Sequence, residues 1–195
     1  LDRIISIFLV FSLMVNFIPG YAEDVQNSKY AGQQNREIKS LSPEDILELR
    51  RGGGWGLAKA AELNGVPGPA HLLELKSEID LTDKQIKALR IVYDEMKRKA
   101  IRKGEELINL ETNLEKLFVE RTINDNRLRS LLTDIALVRG ELRYIHLSTH
   151  LKTPEILSES QIIKYNIVRG YSNNPCLSVP AGHNPEMWRK HNGCR

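Results

Sequence analysis

Aromatic residues are scarce, at 6% of 195. β-sandwiches draw their strands from β-branched and aromatic residues, so this composition speaks against one. Cysteine is nearly absent: two residues, Cys176 and Cys194, both close to the C-terminal end of the sequence. Long apolar runs are missing apart from one near the N-terminus, which excludes a polytopic membrane protein. Charge of one sign is lacking too. The 28 Lys and Arg stand against 25 Asp and Glu, and a net charge of +3 does not by itself imply nucleic acid. No cofactor fingerprint is present, and no Ser–His–Asp or Cys–His arrangement can be argued from position, so no enzymatic activity is expected. What remains is 41% hydrophobic and 27% charged residues, the balance of a helical protein with narrow apolar seams and wide solvated faces.

The single long apolar run has the form of an export signal. Arg3 precedes apolar residues 4–18, and the small residues Gly20 and Ala22 follow Pro19. This is the charged, apolar and small-x-small order of a secretory signal, with cleavage expected after Ala22. The run would span about 22 Å as a helix, short of the ~30 Å hydrocarbon core, so a stable membrane anchor is not expected. Residues 23–40 are polar and without period, and read as a mobile arm.

Helix signals dominate the rest. Ser42-Pro43-Glu44-Asp45 combines a cap, a first-turn proline and two acids at the positive end of the helix dipole. Glycines 52–54 end that helix. Gly52 to Gly56, with Trp55 among them, lack the GK[ST] ending and preceding strand of a phosphate loop, and read as a flexible hinge. Short helices follow over 56–64 and 70–78. Thr82 and Gln85 then form a capping box. Beyond it the apolar residues Ile86, Leu89, Tyr93, Met96, Ala100, Leu107, Leu110, Leu114 and Leu117 keep heptad steps, interrupted only at Lys103-Gly104. A helix over 83–121 would be roughly 58 Å long. A turn at 122–126 leads to a second seam at Leu128, Leu131, Ile135, Val138, Leu142 and Ile145, ended by Pro154. Two such helices joined by a short turn predict an antiparallel hairpin, flanked by short helices in an all-α fold. A thin hairpin leaves apolar surface that a second copy would cover, so a homodimer is expected. Ser158 and Gln161 open a last helix, and the tail 172–195 reads as irregular.

The two boxes repeat each other: Leu81-Thr82-x-x-Gln85 and Leu157-Ser158-x-x-Gln161, with the leucine free to staple onto the first helical turn. Together with the signal, the long hairpin and the run from His146 to His150, they make residues 42–171 resemble the Spy/CpxP superfamily of periplasmic LTxxQ proteins. The histidine spacing is similar to that of its heavy-metal-resistance and zinc-resistance-associated branch. Ser158 departs from the plain motif, and the cysteine-bearing tail is an addition. The resemblance implies an ATP-independent periplasmic chaperone or stress protein. Its partners would be non-native envelope proteins or an envelope stress regulator, with no nucleic acid. The alternative it implies is a metal-binding sensor or resistance protein.

His146 and His150 are the sharpest chemical feature. Residues at i and i+4 share a helix face, so both imidazoles reach one ion, Zn, Ni or Cu alike. The helical wheel puts them at the edge of the seam, where a rim pair without any ligand is the competing reading. Zinc wants four ligands, or three and water, and His71 with Glu74, or Glu155, could add to the set. Cys176 and Cys194 bracket His183 and His191, but the spacing matches no zinc finger, and in an oxidising compartment a disulfide is the simplest outcome. Trp188 is expected to dock this tail on the body. The basic stretch 84–103 holds eight Lys/Arg against Asp94 and Glu95. Lys87, Arg90, Tyr93, Met96 and Lys97 are its candidate client-binding face; a merely solvated helix face is the alternative.

Overall fold

A computed structural model describes residues 27–173, 175–177, 179–192 and 194. The expected signal segment and its cleavage point lie outside them. Among the described residues, those up to Gln34 belong to one unit and those from Asn35 onward to another. In the first, residues 27–34 are turns leading to a single 3-10 turn at Gln33–Asn35. The second is all-helical among its described residues, with α1 (Pro43–Arg50), α2 (Lys59–Glu62), α3 (Pro69–Glu74), α4 (Asp83–Val119), α5 (Asp125–Lys152), α6 (Glu159–Val168) and α7 (Pro185–His191).

The long hairpin is present as expected. Helix α4 has 37 residues and α5 has 28, and they form the main packing pair of the molecule. Ion pairs Lys103–Glu141 (2.5 Å) and Glu111–Arg139 (3.9 Å) step in opposite directions along the two helices, as antiparallel packing requires. The break in the α4 seam has a physical cause. Gly104 is buried, and a Cβ there would lie 2.5 Å from the carbonyl oxygen of Leu49. The end of α1 crosses α4 at this point, where a larger residue would push it off. The main core gathers Leu49, Ala100, Leu107, Ile135, Val138 and Leu142.

Ile38 and Leu41 join that core, at 3% and 1% exposure. The end of the expected mobile arm is therefore docked. Lys39 pairs with Glu115 at 2.8 Å and Ser40 donates to Glu111 at 2.8 Å. One apolar residue in a polar stretch carries no period, which is why the pattern hides it. The glycine stretch is anchored in part: Gly52 is buried against Lys97 and Ile101 of α4, whereas Gly54 and Gly56 are exposed. Trp55, held at φ 43°, donates its indole N–H to Asp45 at 2.7 Å and lies under the Arg139 guanidinium at 4.8 Å. The Trp55 bond holds the Asp45 carboxyl below its usual range.

A second core contains Leu72, Ile79, Leu89 and Tyr165, with Leu81 and Leu157 packed against it. Both capping boxes form, on α4 and on α6. They also bond to each other. Gln85 Nε2 donates to Gln161 Oε1 at 2.8 Å, and Gln161 Nε2 donates to Gln85 Oε1 at 3.1 Å. Each amide also donates to the backbone carbonyl two residues before the opposite cap, Gln85 to Ile156 (2.9 Å) and Gln161 to Asp80 (3.1 Å). The repeated motif is thus a pseudo-symmetric clasp between two helix starts.

The tail is not wholly irregular. Asn184 caps α7 by accepting from the N–H groups of Glu186 and Met187, with Pro185 in the first position. Cys176 and Cys194 stand as a disulfide, sulfur atoms 2.03 Å and Cα atoms 5.5 Å apart. Trp188 serves the tail first: its indole N–H donates to the Pro175 carbonyl at 2.8 Å.

Candidate functional site

The buried stripe on α5 runs Leu131, Ile135, Val138, Leu142, His146, Thr149, and ends on Thr153 just past the helix. Its steps average nearer 3.6 than 3.5, so it drifts away from Ile145 and onto the histidines. His146 and His150 are 5% and 6% exposed. They are not a rim pair at the edge of the seam; they continue the seam itself with polar residues, which a search for apolar periodicity passes over.

The segment between α2 and α3 covers this polar end. His150 Nδ1 lies 2.7 Å from the Val66 carbonyl, and Thr153 donates to the Pro67 carbonyl at 2.6 Å. A carbonyl only accepts, so His150 Nδ1 carries the proton and its Nε2 keeps the lone pair in the neutral ring. Gly68 gives that edge its room, because a Cβ there would stand 2.7 Å from His150 Nε2. Among the described residues, buried His146 Nε2 finds no hydrogen-bond partner. Burial, helped by the neighbouring His150, lowers the His146 pKa to about 4, so the ring is neutral at pH 7.

Both histidines line a cavity of about 270 Å³, together with Glu62, His71, Tyr93 and Met96. The glycine stretch and Trp55 form part of its wall. Glu62 is a site residue that the sequence does not single out. It is 9% exposed, and its Oε1 accepts from the hydroxyls of Tyr165 and, at 3.1 Å, Tyr171. Arg169 Nε stands 3.5 Å from the same oxygen, whereas Glu62 Oε2 is buried with no partner. Burial, and the Glu62 carboxylate, push the Tyr165 hydroxyl pKa well up.

The expected ligand set is not assembled in this arrangement. Among the described residues, no group of three or more His, Cys, Asp and Glu side chains is placed to hold a metal ion. His71 lines the cavity, but its Nδ1 is bonded to Glu74 at 2.9 Å, and Glu74 does not reach the cavity wall. The expected client face also divides. Lys87 and Arg90 are exposed, Lys97 sits over the Tyr93 ring at 5.6 Å, and Tyr93 and Met96 turn inward to line the cavity, Met96 at 6% exposure. The heptad spacing that makes Met96 a seam residue is what takes it off the surface. Part of the basic stretch is neutralised on the spot, Lys99 by Glu95 and Lys103 by Glu106, each at 2.7 Å.

Among the described residues, no helix is long and apolar enough to cross a membrane. No protein-family model, curated protein or solved structure matches the chain.

Proposed function

We propose that the chain is an exported, all-helical metal-binding protein that takes a transition-metal ion at His146 and His150. The observation that carries this reading is the buried, unpartnered Nε2 of His146 in the wall of a cavity. An orphaned polar atom of this kind calls for a ligand, an ion or water. The residues fit an ion in kind. His146 is kept neutral by burial, and His150 is oriented by a backbone carbonyl, as metal-bound histidines usually are. They fit in number only if Glu62, His71 or solvent completes the shell, since two imidazoles fall short of the ligand count zinc prefers. An ion held by His146 and His150 would supply a positive charge to the cavity that Glu62 also lines. The disulfide fits export to an oxidising compartment, and the resemblance of the two boxes and the histidine pair to the Spy/CpxP metal branch supports a periplasmic role.

Calorimetric titration with Zn²⁺, Ni²⁺ and Cu²⁺ tests the reading. Micromolar or tighter binding of one of them, weakened at least tenfold in His146→Gln/His150→Gln, is the expected result. Wild-type protein that binds none of the three, or a variant that binds as well, refutes it.

The chaperone reading keeps one observation of its own. Leu137, Tyr144 and Leu151 recur every seven residues on the outer face of α5 at 61%, 70% and 74% exposure. An apolar stripe of this kind is a surface for a non-native client or a second copy. Suppression of the aggregation of a denatured client, lost in Leu137→Ser/Leu151→Ser, would support it; suppression unaffected by those changes would remove the stripe from the argument.

A further inference from the structure

We propose that the cleft between α6, the end of α2 and the C-terminal tail binds a neutral mono- or disaccharide. The cleft has a volume of about 500 Å³, within the range of small-ligand sites. Trp188 and Tyr171 line it together with Asn64, Asn166, Asn173 and Asn192. Among the described residues, no Asp, Glu, Lys, Arg or His lines it, in a chain that is 27% charged. It shares no lining residue with the histidine cavity, and the proposal needs no metal ion.

The aromatic pair is fixed, and its polar ends are already used. The Trp188 indole N–H donates to the Pro175 carbonyl at 2.8 Å. The Tyr171 hydroxyl donates to Glu62 at 3.1 Å and accepts from Arg169 at 3.0 Å. Arg169 also lies against the Tyr171 ring, 5.5 Å from its centre, but is not part of the cleft wall. What the two rings have left for a ligand is carbon surface, which suits the C–H face of a pyranose. The amides are committed in the complementary sense. Asn64 donates its Nδ2 end to the Ala60 carbonyl at 2.8 Å, and Asn192 donates to that of Trp188 at 2.9 Å. Asn166 donates to the carbonyls of Gly65 and Ile162, at 3.1 and 3.0 Å. A carbonyl only accepts, so these bonds decide which end of each amide is nitrogen. The Oδ1 ends remain as acceptors, and that of Asn166 is buried with no partner among the described residues. An orphaned acceptor in a cleft wall calls for a donor. Oriented acceptors without a charged neighbour suit a ligand that carries several neutral donors. An anion finds no Lys or Arg in this wall, and a hard cation wants carboxylates among its oxygens. A pyranose brings hydroxyl donors and an apolar face together. The Cys176–Cys194 disulfide closes the loop that carries Trp188, so this side of the cleft is stapled.

Titration of the full-length oxidised protein with N-acetylglucosamine, chitobiose, cellobiose and maltose tests the site. The NMR signals to follow are the side-chain amides of the four asparagines and the Trp188 indole. At least one sugar should bind with a Kd of about 1 mM or below and shift those signals. Asn64→Ala, at an exposed position, should weaken binding about fivefold, the loss of one hydrogen bond. Trp188→Ala should weaken it at least about tenfold. Should that variant also loosen the tail, Asn64→Ala still decides. Binding of none of the sugars overturns the proposal. So does binding that leaves the asparagine and Trp188 signals in place, or an unchanged affinity in Asn64→Ala. Binding of adenosine with none of the sugars assigns the cleft to a flat nucleobase and overturns it as well.

Discussion

Two glutamines and two histidines occupy opposite situations in this molecule. Gln85 and Gln161 bond to each other, to their own caps and to the backbone just ahead of the opposite cap. His146 and His150 are buried more deeply than the half-buried glutamines, yet one ring nitrogen of His146 finds no partner among the described residues. Folding alone accounts for the first pair, since the bonds satisfy the N-cap donors, the carbonyls just ahead of the opposite caps and the two amides themselves. It does not account for the second. Polar groups that satisfy one another specify a structure, whereas a buried one left orphaned in a cavity marks a place where stability is given up.

Acidification should break the contrast most strongly. Burial holds the folded-state pKa of His146 at about 4, below the ordinary histidine value of 6.5. Between these values the unfolded chain binds the proton and the folded one does not. The stability that the neutral ring allows is therefore complete above pH 6.5, falls as the pH drops toward 4, and levels off below. The full difference is on the order of 3 kcal/mol. Urea unfolding at pH 7 and pH 4.5, on wild type and His146→Leu, isolates it: the wild type should lose more stability than the variant. Equal losses would mean that His146 is not held neutral by its surroundings.

The clasp should give the next largest effect. Gln85→Ala removes one partner of the Gln161 amide and leaves the Ile156 carbonyl and the Thr82 backbone N–H without theirs, for an expected loss of about 2 kcal/mol. Gln161→Ala should cost a similar amount. Because the two side chains share their bonds, the double variant should lose clearly less than the sum, with a coupling of about 1 kcal/mol in a denaturation cycle. Strict additivity would show that the cross-bonds contribute nothing beyond two independent caps.

What could be read in the sequence divides along the same line. The hairpin and both boxes are local or periodic features: leucines at heptad steps, and a hydroxyl three residues before a glutamine. The histidine pair was legible as a pair, because i and i+4 share a face. Its depth was not, since Thr149 and Thr153 continue a stripe that apolar counting ends at Ile145. Glu62 was invisible for a different reason. Nothing in its short alanine-rich helix distinguishes it, and its setting is made by Tyr165 and Tyr171, more than 100 residues away. The docking of the segment around Ile38 likewise draws on distant residues, Glu111 and Glu115 of α4, which bond its neighbours Ser40 and Lys39. The start of α7 was signalled by Asn184-Pro185, a short-range cue outweighed by the irregular composition around it.

The smallest effect carries the most about purpose. His146→Leu replaces an orphaned imidazole with an apolar side chain of similar bulk inside a buried stripe of Leu, Ile and Val. Removing an unsatisfied buried group should raise stability at pH 7 by about 1 kcal/mol, the opposite sign to Gln85→Ala. Thermal unfolding of the metal-free protein is the measurement, and Tm should rise by a few degrees at this chain length. The same variant should lose its metal affinity, so the gain in stability and the loss of binding arrive together, the usual relation at a functional position. A fall in Tm would place His146 with the glutamines, as a residue the fold itself needs.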